Sequence, residues 1–136
     1  MAGTEGLVRF KIEPPPKYTG KGNFEEFAKR FTNYMSLSNV RYGDLMRKAA
    51  NNPTPILTAR LDSLDEGLEP EGTTRKMASI LYYALSGLVD GPAYVLVDQV
   101  EDSNGLEAWR LLYQRYASTN THNAIMTLVA LVNTTV

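Results

Sequence analysis

The sequence predicts an all-α protein, a compact bundle of about five to seven helices behind an extended N-terminal segment. Three observations carry that prediction. Apolar residues recur at intervals of three and four in several separate stretches, the spacing that lines side chains up on one helix face. Two of these stretches open on Asn with Glu three residues later, at Asn23/Glu26 and Asn104/Glu107, the pattern of a capping box. Short joints rich in Gly, Pro and Asn separate the stretches.

Residues 1–16 form the extended segment. Leu7, Val8, Phe10 and Ile12 suggest a short strand, and Pro14-Pro15-Pro16 holds the chain extended because proline fixes φ and restricts the residue before it. Gly20-Lys21-Gly22 is a turn. The first helix starts at Asn23 and carries Phe24, Phe27, Phe31, Tyr34 and Leu37 as its apolar stripe. A second covers about 42–50, with Leu45, Met46 and Ala49 inward, and Asn51-Asn52-Pro53-Thr54-Pro55 stops it. A third, short helix is expected over about 56–64, followed by the acidic loop DEGLEPEGTT.

The fourth helix, about 73–86, places Met77, Ile80, Leu81, Ala84, Leu85 and Leu88 in helical register and is expected to be the centre of the bundle. Gly87 and Gly91 bracket a corner. Pro92 suits the first turn of a fifth helix, about 92–100, where its missing N–H costs nothing. The run VLV within it has strand propensity, but the Asp90-Gly91-Pro92 start and the helical neighbours favour helix. The sixth helix is GLEAWRLLYQRY, which sets Leu106, Trp109, Leu112 or Tyr113, and Tyr116 on one face. Its rings are read as core, with Trp109 against Leu81 and Leu85. A seventh helix is expected from Thr121, carrying Ile125, Leu128, Val129 and Val132. The predicted structural core is therefore Phe27, Phe31, Leu81, Leu85, Trp109 and Tyr116.

Composition excludes several functions. With 136 residues the chain can build one domain with a real core. Lysine plus arginine number 14 against 15 acids, a net charge of −1 that argues against strong non-specific nucleic-acid binding. There is no cysteine, which removes disulfides, thiolate metal sites and cysteine nucleophiles; the one histidine, His122, leaves little for a zinc site or a Ser-His pair. No apolar run approaches the ~20 residues of a membrane span. The N-terminus lacks a signal-peptide core, so a cytoplasmic chain is expected.

No catalytic constellation stands out, and neither an enzyme nor a cofactor is expected. An EF-hand loop from Asp62 would need oxygen ligands at 64 and 66 and glutamate at 73, where the chain has Leu64, Glu66 and Thr73. Gly20-Lys21-Gly22 is not a phosphate loop. Carboxylate pairs such as Glu25/Glu26 and Asp65/Glu66 carry no sign of a shifted pKa. Basic pairs at Lys29/Arg30, Arg47/Lys48, Arg75/Lys76 and Arg110/Arg115 are each expected off the apolar stripe, on a solvated or protein-contacting face.

The order of segments resembles the capsid region of Gag polyproteins from long-terminal-repeat retrotransposons, of gypsy or copia type, and their domesticated relatives. PPPKYTGKGNFEEFAKRFTNYM resembles the proline-led opening into a first helix with aromatics at this spacing. ILYYALSGLVDGPAYVLV resembles a helix followed by a Gly-Pro-Ala corner, and GLEAWRLLYQRYAS a short helix with a central aromatic and a closing Arg-Tyr. THNAIMTLVALVN resembles the helix that opens the capsid C-terminal domain.

The resemblance covers about 14–133. It implies an extended segment at 1–16, a capsid N-terminal domain at 17–117, and a linker with the first helix of a truncated C-terminal domain at 118–136. The rest of that domain and the RNA-binding zinc knuckle are missing, so the resemblance also implies a piece of a longer Gag.

The function it implies is structural. Such domains self-assemble in pentamer- or hexamer-type rings that tile a virus-like particle around element RNA, the RNA being held mainly by other parts of Gag, with no membrane involved. By analogy the ring contacts would come from Glu25, Lys29, Arg30, Asn33 and Arg47 on the early helices. Residues 121–136 could pair two chains. The alternative is a protein- or RNA-binding adaptor module of a domesticated Gag.

Overall fold

The structure is a computed structural model, and it describes residues 13–65, 70 and 72–117. Among these residues it is an all-α bundle. The expected strand at 7–12 and the expected helix from Thr121 lie outside the described residues.

Helix α1 spans Phe24–Ser38. Asn23 caps it, its Oδ1 accepting from the Glu26 N–H at 3.1 Å. Phe24, Phe27, Ala28, Phe31 and Met35 are buried. Leu37, placed on the stripe by its spacing, is 63% exposed. Helix α2, Arg41–Ala50, buries Tyr42, Leu45, Met46 and Ala49, and its last turn carries Arg47 and Lys48, where the helix dipole favours cations.

The helix expected over 56–64 is a 3₁₀ helix, Thr58–Asp65. Its start is displaced for a reason visible at Ile56. The Ile56 N–H donates to Glu107 Oε1 at 2.8 Å and its carbonyl accepts from Asn104 Nδ2 at 2.8 Å. With both backbone groups bonded to a distant helix, Ile56 cannot join a local helical ladder.

Helix α3, Thr73–Ser86, has the bounds its pattern predicts. Thr74, Met77, Ala78, Leu81 and Leu85 are buried, while Ile80 is 51% exposed. At 100° per residue Ile80 lies about 115° from the centre of that buried face, so a stripe drawn through it is too wide. Helix α4 is Gly91–Asp98 with Pro92 in its first turn, and it buries Ala93 and Val97. The VLV run is helical.

The extended segment is anchored at the corner between α3 and α4. Tyr18 donates to the Leu88 carbonyl at 2.8 Å and accepts from the Asp90 N–H at 2.9 Å, forming an isolated parallel bridge with Val89. Gly91, at φ +59°, lets the chain turn there: a Cβ would stand 3.1 Å from the Thr19 carbonyl oxygen.

Helix α5, Gly105–Leu112, continues into a π-helical turn, Tyr113–Ala117. This short helix, rather than α3, is the hub of the bundle. It packs on α2, α3 and α4, and its π turn packs on α1. Gly105 makes the approach to α3 possible, because a Cβ there would fall 2.4 Å from the Ala78 carbonyl oxygen and from the Tyr82 amide nitrogen. The approach of α5 to α1 is aromatic. The Trp109 ring lies 6.0 Å from Phe24, 5.4 Å from Phe31 and 5.4 Å from Tyr113, centroid to centroid. Such pairs contribute roughly 0.5–1.5 kcal/mol each beyond their area burial. Phe27, Phe31, Leu81, Leu85 and Trp109 are all buried as expected. Tyr116 sits at the margin of the core, half-buried, with its ring against Tyr18 and Phe24.

Candidate interaction surface

Helices α1 and α2 pack on each other and border a groove of about 380 Å³. Its floor is Ala28, Met46, Trp109 and Tyr113; its rim carries Glu25, Lys29, Asn33 and Arg47. All four rim residues are exposed. Helical spacing explains the grouping. Glu25, Lys29 and Asn33 follow one another at intervals of four, so they form a single row on α1.

Arg30 is not part of this groove. One residue on from Lys29, it is turned by about 100° to the next face. There it pairs with Glu26 at 3.1 Å and lines a separate cavity of about 270 Å³ with Lys17, Lys21 and Phe27. The structure therefore brings together four of the five candidate contact residues and separates the fifth.

The rim is electrostatically mixed. On α2, Asp44 pairs with Arg47 and with Lys48, the latter at 3.1 Å. The Lys48 hydrogen bond, joined by Arg47, holds the Asp44 carboxyl below its usual range. On the floor, burial pushes the Tyr113 phenol up, and the Glu25 carboxylate pushes the same way. That phenol stays a neutral hydrogen-bonding group under the groove. Tyr42, beneath α2, is pushed up to about 12 by burial, and its O–H donates to the Met77 carbonyl at 2.8 Å.

Arg110 overturns one expectation. Read as a solvated cation, it is 4% exposed. Its Nε and Nη2 donate to the two Glu107 oxygens at 2.7 and 2.9 Å, a bidentate pair. The Glu107 hydrogen bonds raise the Arg110 pKa against the opposing effect of burial. Asn104 and Glu107 do form an N-cap, with Glu107 N–H donating to Asn104 Oδ1 at 3.1 Å. The second arm expected of a capping box goes elsewhere: the Glu107 carboxylate is spent on Ile56 and Arg110. Asn104 and Glu107 thus clamp the 51–57 loop onto α5 through both backbone polar groups of one residue, Ile56.

The clamp helps frame a second cleft, about 390 Å³, between the 55–58 loop, residues 99–102 and α5. Spacing arguments missed it, because its walls come from two loops. The signal available was Asn104/Glu107 itself, two polar residues whose partners are 48 and 51 positions away.

Among the described residues, no three of His, Cys, Asp and Glu gather as a metal site, and no helix is long and apolar enough to cross a membrane. Compared with known proteins, the chain matches no family model, no curated protein and no solved structure.

Proposed function

We propose that this chain is the capsid N-terminal domain of a long-terminal-repeat retrotransposon Gag, a structural protein that assembles through weak head-to-tail contacts into a shell around element RNA. The observation that carries the reading is the mixed-charge groove between α1 and α2. Its rim gathers Glu25, Lys29, Asn33 and Arg47 on exposed surface over a partly aromatic floor. A rim of both signs suits contact with an unlike face of another copy, since complementary charge fixes register and rejects wrong partners. Rings built from such unlike faces close on themselves, and each contact can be weak because many act together. The ordered segments that carry the resemblance also correspond to elements: the first to the bridge at Tyr18 and α1, the second to α3 and α4, the third to α5.

The test is negative-stain electron microscopy of the purified chain, and of the chain extended by a capsid C-terminal domain, at high concentration over a range of salt. Rings, tubes or shells are expected. They should disappear with Lys29→Ala plus Arg47→Ala while the circular dichroism spectrum and melting temperature stay unchanged. Arg30→Ala, on the other face, should have little effect. Small monodisperse particles from both wild-type chains under every condition would overturn the proposal.

A further inference from the structure

We infer that the cavity beside the start of α1, about 270 Å³, is a binding site for a dianionic phosphoryl group, the end group of a phosphate monoester. Three cations from three separate places in the chain converge on it: Lys17 from the extended segment, Lys21 from the glycine turn and Arg30 from α1. Glu26 is the one carboxylate in its lining. The two cavities described above have a different balance. The α1–α2 groove sets Glu25 against Lys29 and Arg47, and the cleft beside α5 has Glu101, Asp102 and Glu107 with no cation. In a chain of net charge −1, three cations around one small cavity are a local arrangement and not a reflection of composition.

The backbone holds each cation in position. Lys17 precedes Tyr18, whose N–H and carbonyl are bonded to Leu88 and Asp90. Lys21 stands between Gly20 and Gly22, at φ +98° and +94°, so the turn that presents it needs glycine on both sides. Arg30 is on the second turn of the capped helix. The charges are also available. Lys21 is exposed and has no ion-pair partner among the described residues. Lys17 lies 3.7 Å from Asp90, beyond hydrogen-bond length, and both partners of the Arg30–Glu26 pair are more than half exposed. Exposed pairs of this kind contribute little to stability, so both cations can turn to a ligand. The Asn23 side chain adds a donor, since its Oδ1 is taken by the Glu26 N–H and its NH2 is left to donate.

Size and surface select the ligand. The cavity is smaller than the roughly 300–1,000 Å³ of a typical small-molecule pocket, so it suits an end group and not a whole nucleotide. Its rings offer no stacking face. Tyr18 and Phe27 are each 5% exposed and are stacked on one another, with centroids 5.4 Å apart. A nucleobase gains nothing there. Three cations against one carboxylate leave two positive charges, which a monoester dianion neutralises and a singly charged phosphodiester does not. The site does not depend on the capsid reading, and it lies apart from the groove that carries that reading.

The test is an amide-resolved NMR titration of the full chain at fixed ionic strength and about pH 7.5, where a phosphate monoester is mostly a dianion. Methyl phosphate is the probe, and dimethyl phosphate is its singly charged counterpart. Methyl phosphate should give saturable shifts centred on residues 17–30 and bind at least about tenfold more tightly than dimethyl phosphate. Lys21→Ala and Arg30→Ala should each weaken it about tenfold, the loss of one charge-assisted hydrogen bond, with the circular dichroism spectrum and melting temperature unchanged. Lys76→Ala, which removes an exposed cation outside the cavity, should bind like the wild type. Shifts that never saturate, or an equal loss in Lys76→Ala, would overturn the site. Equal affinity for the two probes would overturn the monoester assignment and point to a nucleic-acid backbone instead.

Discussion

Gly105→Ala should separate the two helices at the centre of the bundle. The added methyl would stand 2.4 Å from the Ala78 carbonyl oxygen, 2.4 Å from the Tyr82 amide nitrogen and 2.9 Å from Leu81 Cβ. Normal contacts lie near 3.5–4.0 Å, so α5 must retreat from α3 by about an ångström. Two of the three obstacles are backbone atoms, which no rotamer change can move. Overpacking of this kind costs ~1–3 kcal/mol and sometimes more, and the rigid obstacles put Gly105 at about 3. Helix propensity works the other way, favouring alanine by ~1 kcal/mol at most.

The control is Gly87→Ala. Gly87 has φ −80°, and the nearest atom to its Cβ is the Ala84 carbonyl oxygen at 3.6 Å. That substitution should be neutral or stabilise by ~0.4–1 kcal/mol through the unfolded state. Urea unfolding followed by Trp109 fluorescence measures both. Gly105→Ala should lower the midpoint at constant slope and the melting temperature by roughly 10 °C. If the two variants agree within about 0.5 kcal/mol, the close crossing at Gly105 is wrong.

Glu107→Gln should cost about 1.5–3 kcal/mol, since it keeps an acceptor for Ile56 but leaves Arg110 buried without its charge partner. Adding Arg110→Met should recover much of the loss; no recovery in urea unfolding would mean that Arg110 is not buried as a pair. Tyr42 makes stability pH-dependent on the alkaline side. Its phenol titrates near 10 when unfolded and about 12 when folded, so its contribution is complete below pH 10. It is lost as pH rises towards 12, a loss of about 2–3 kcal/mol. Tyr42→Phe should flatten that decline without abolishing it, because Tyr18 and Tyr113 are raised as well. An unchanged slope would count against the burial of Tyr42.

What was legible in the sequence was local. The start of α1, the limits of α3 and the proline-led start of α4 follow from caps and periodicity, which act over three or four residues. The core side chains Phe27, Phe31, Leu81, Leu85 and Trp109 follow from the same stripes. What was not legible depends on partners distant in the chain. Arg110 sits on the buried side of α5, and only Glu107 in its bidentate geometry makes that tolerable. Ile56 loses its helix to a clamp 48–51 residues away. α5 becomes the hub because Gly105 admits a neighbouring backbone, a property of the pair of helices and not of either alone. In the groove, the interval of four places Glu25, Lys29 and Asn33 in one row, while Arg30, one residue on from Lys29, lines a different cavity.

The fate of the aromatic residues weighs on the choice between a contact domain and a nucleic-acid module. Stacking on bases needs exposed rings beside cations. All eight tyrosines are described, and only Tyr83 and Tyr94 are well exposed, at 66% and 41%. Tyr83 has its hydroxyl hydrogen-bonded by Ser103 at 3.1 Å and its ring edge-on to Tyr82, so its orientation is set within the protein. Phe24, Phe27, Phe31 and Trp109 are buried in the seam between α1 and α5. The rings of Phe24, Phe31 and Trp109 are used to join α1 to α5. What that leaves at the surface over α1 and α2 is a charged rim, and a charged rim on a rigid aromatic floor is better suited to selecting a protein face than to stacking bases.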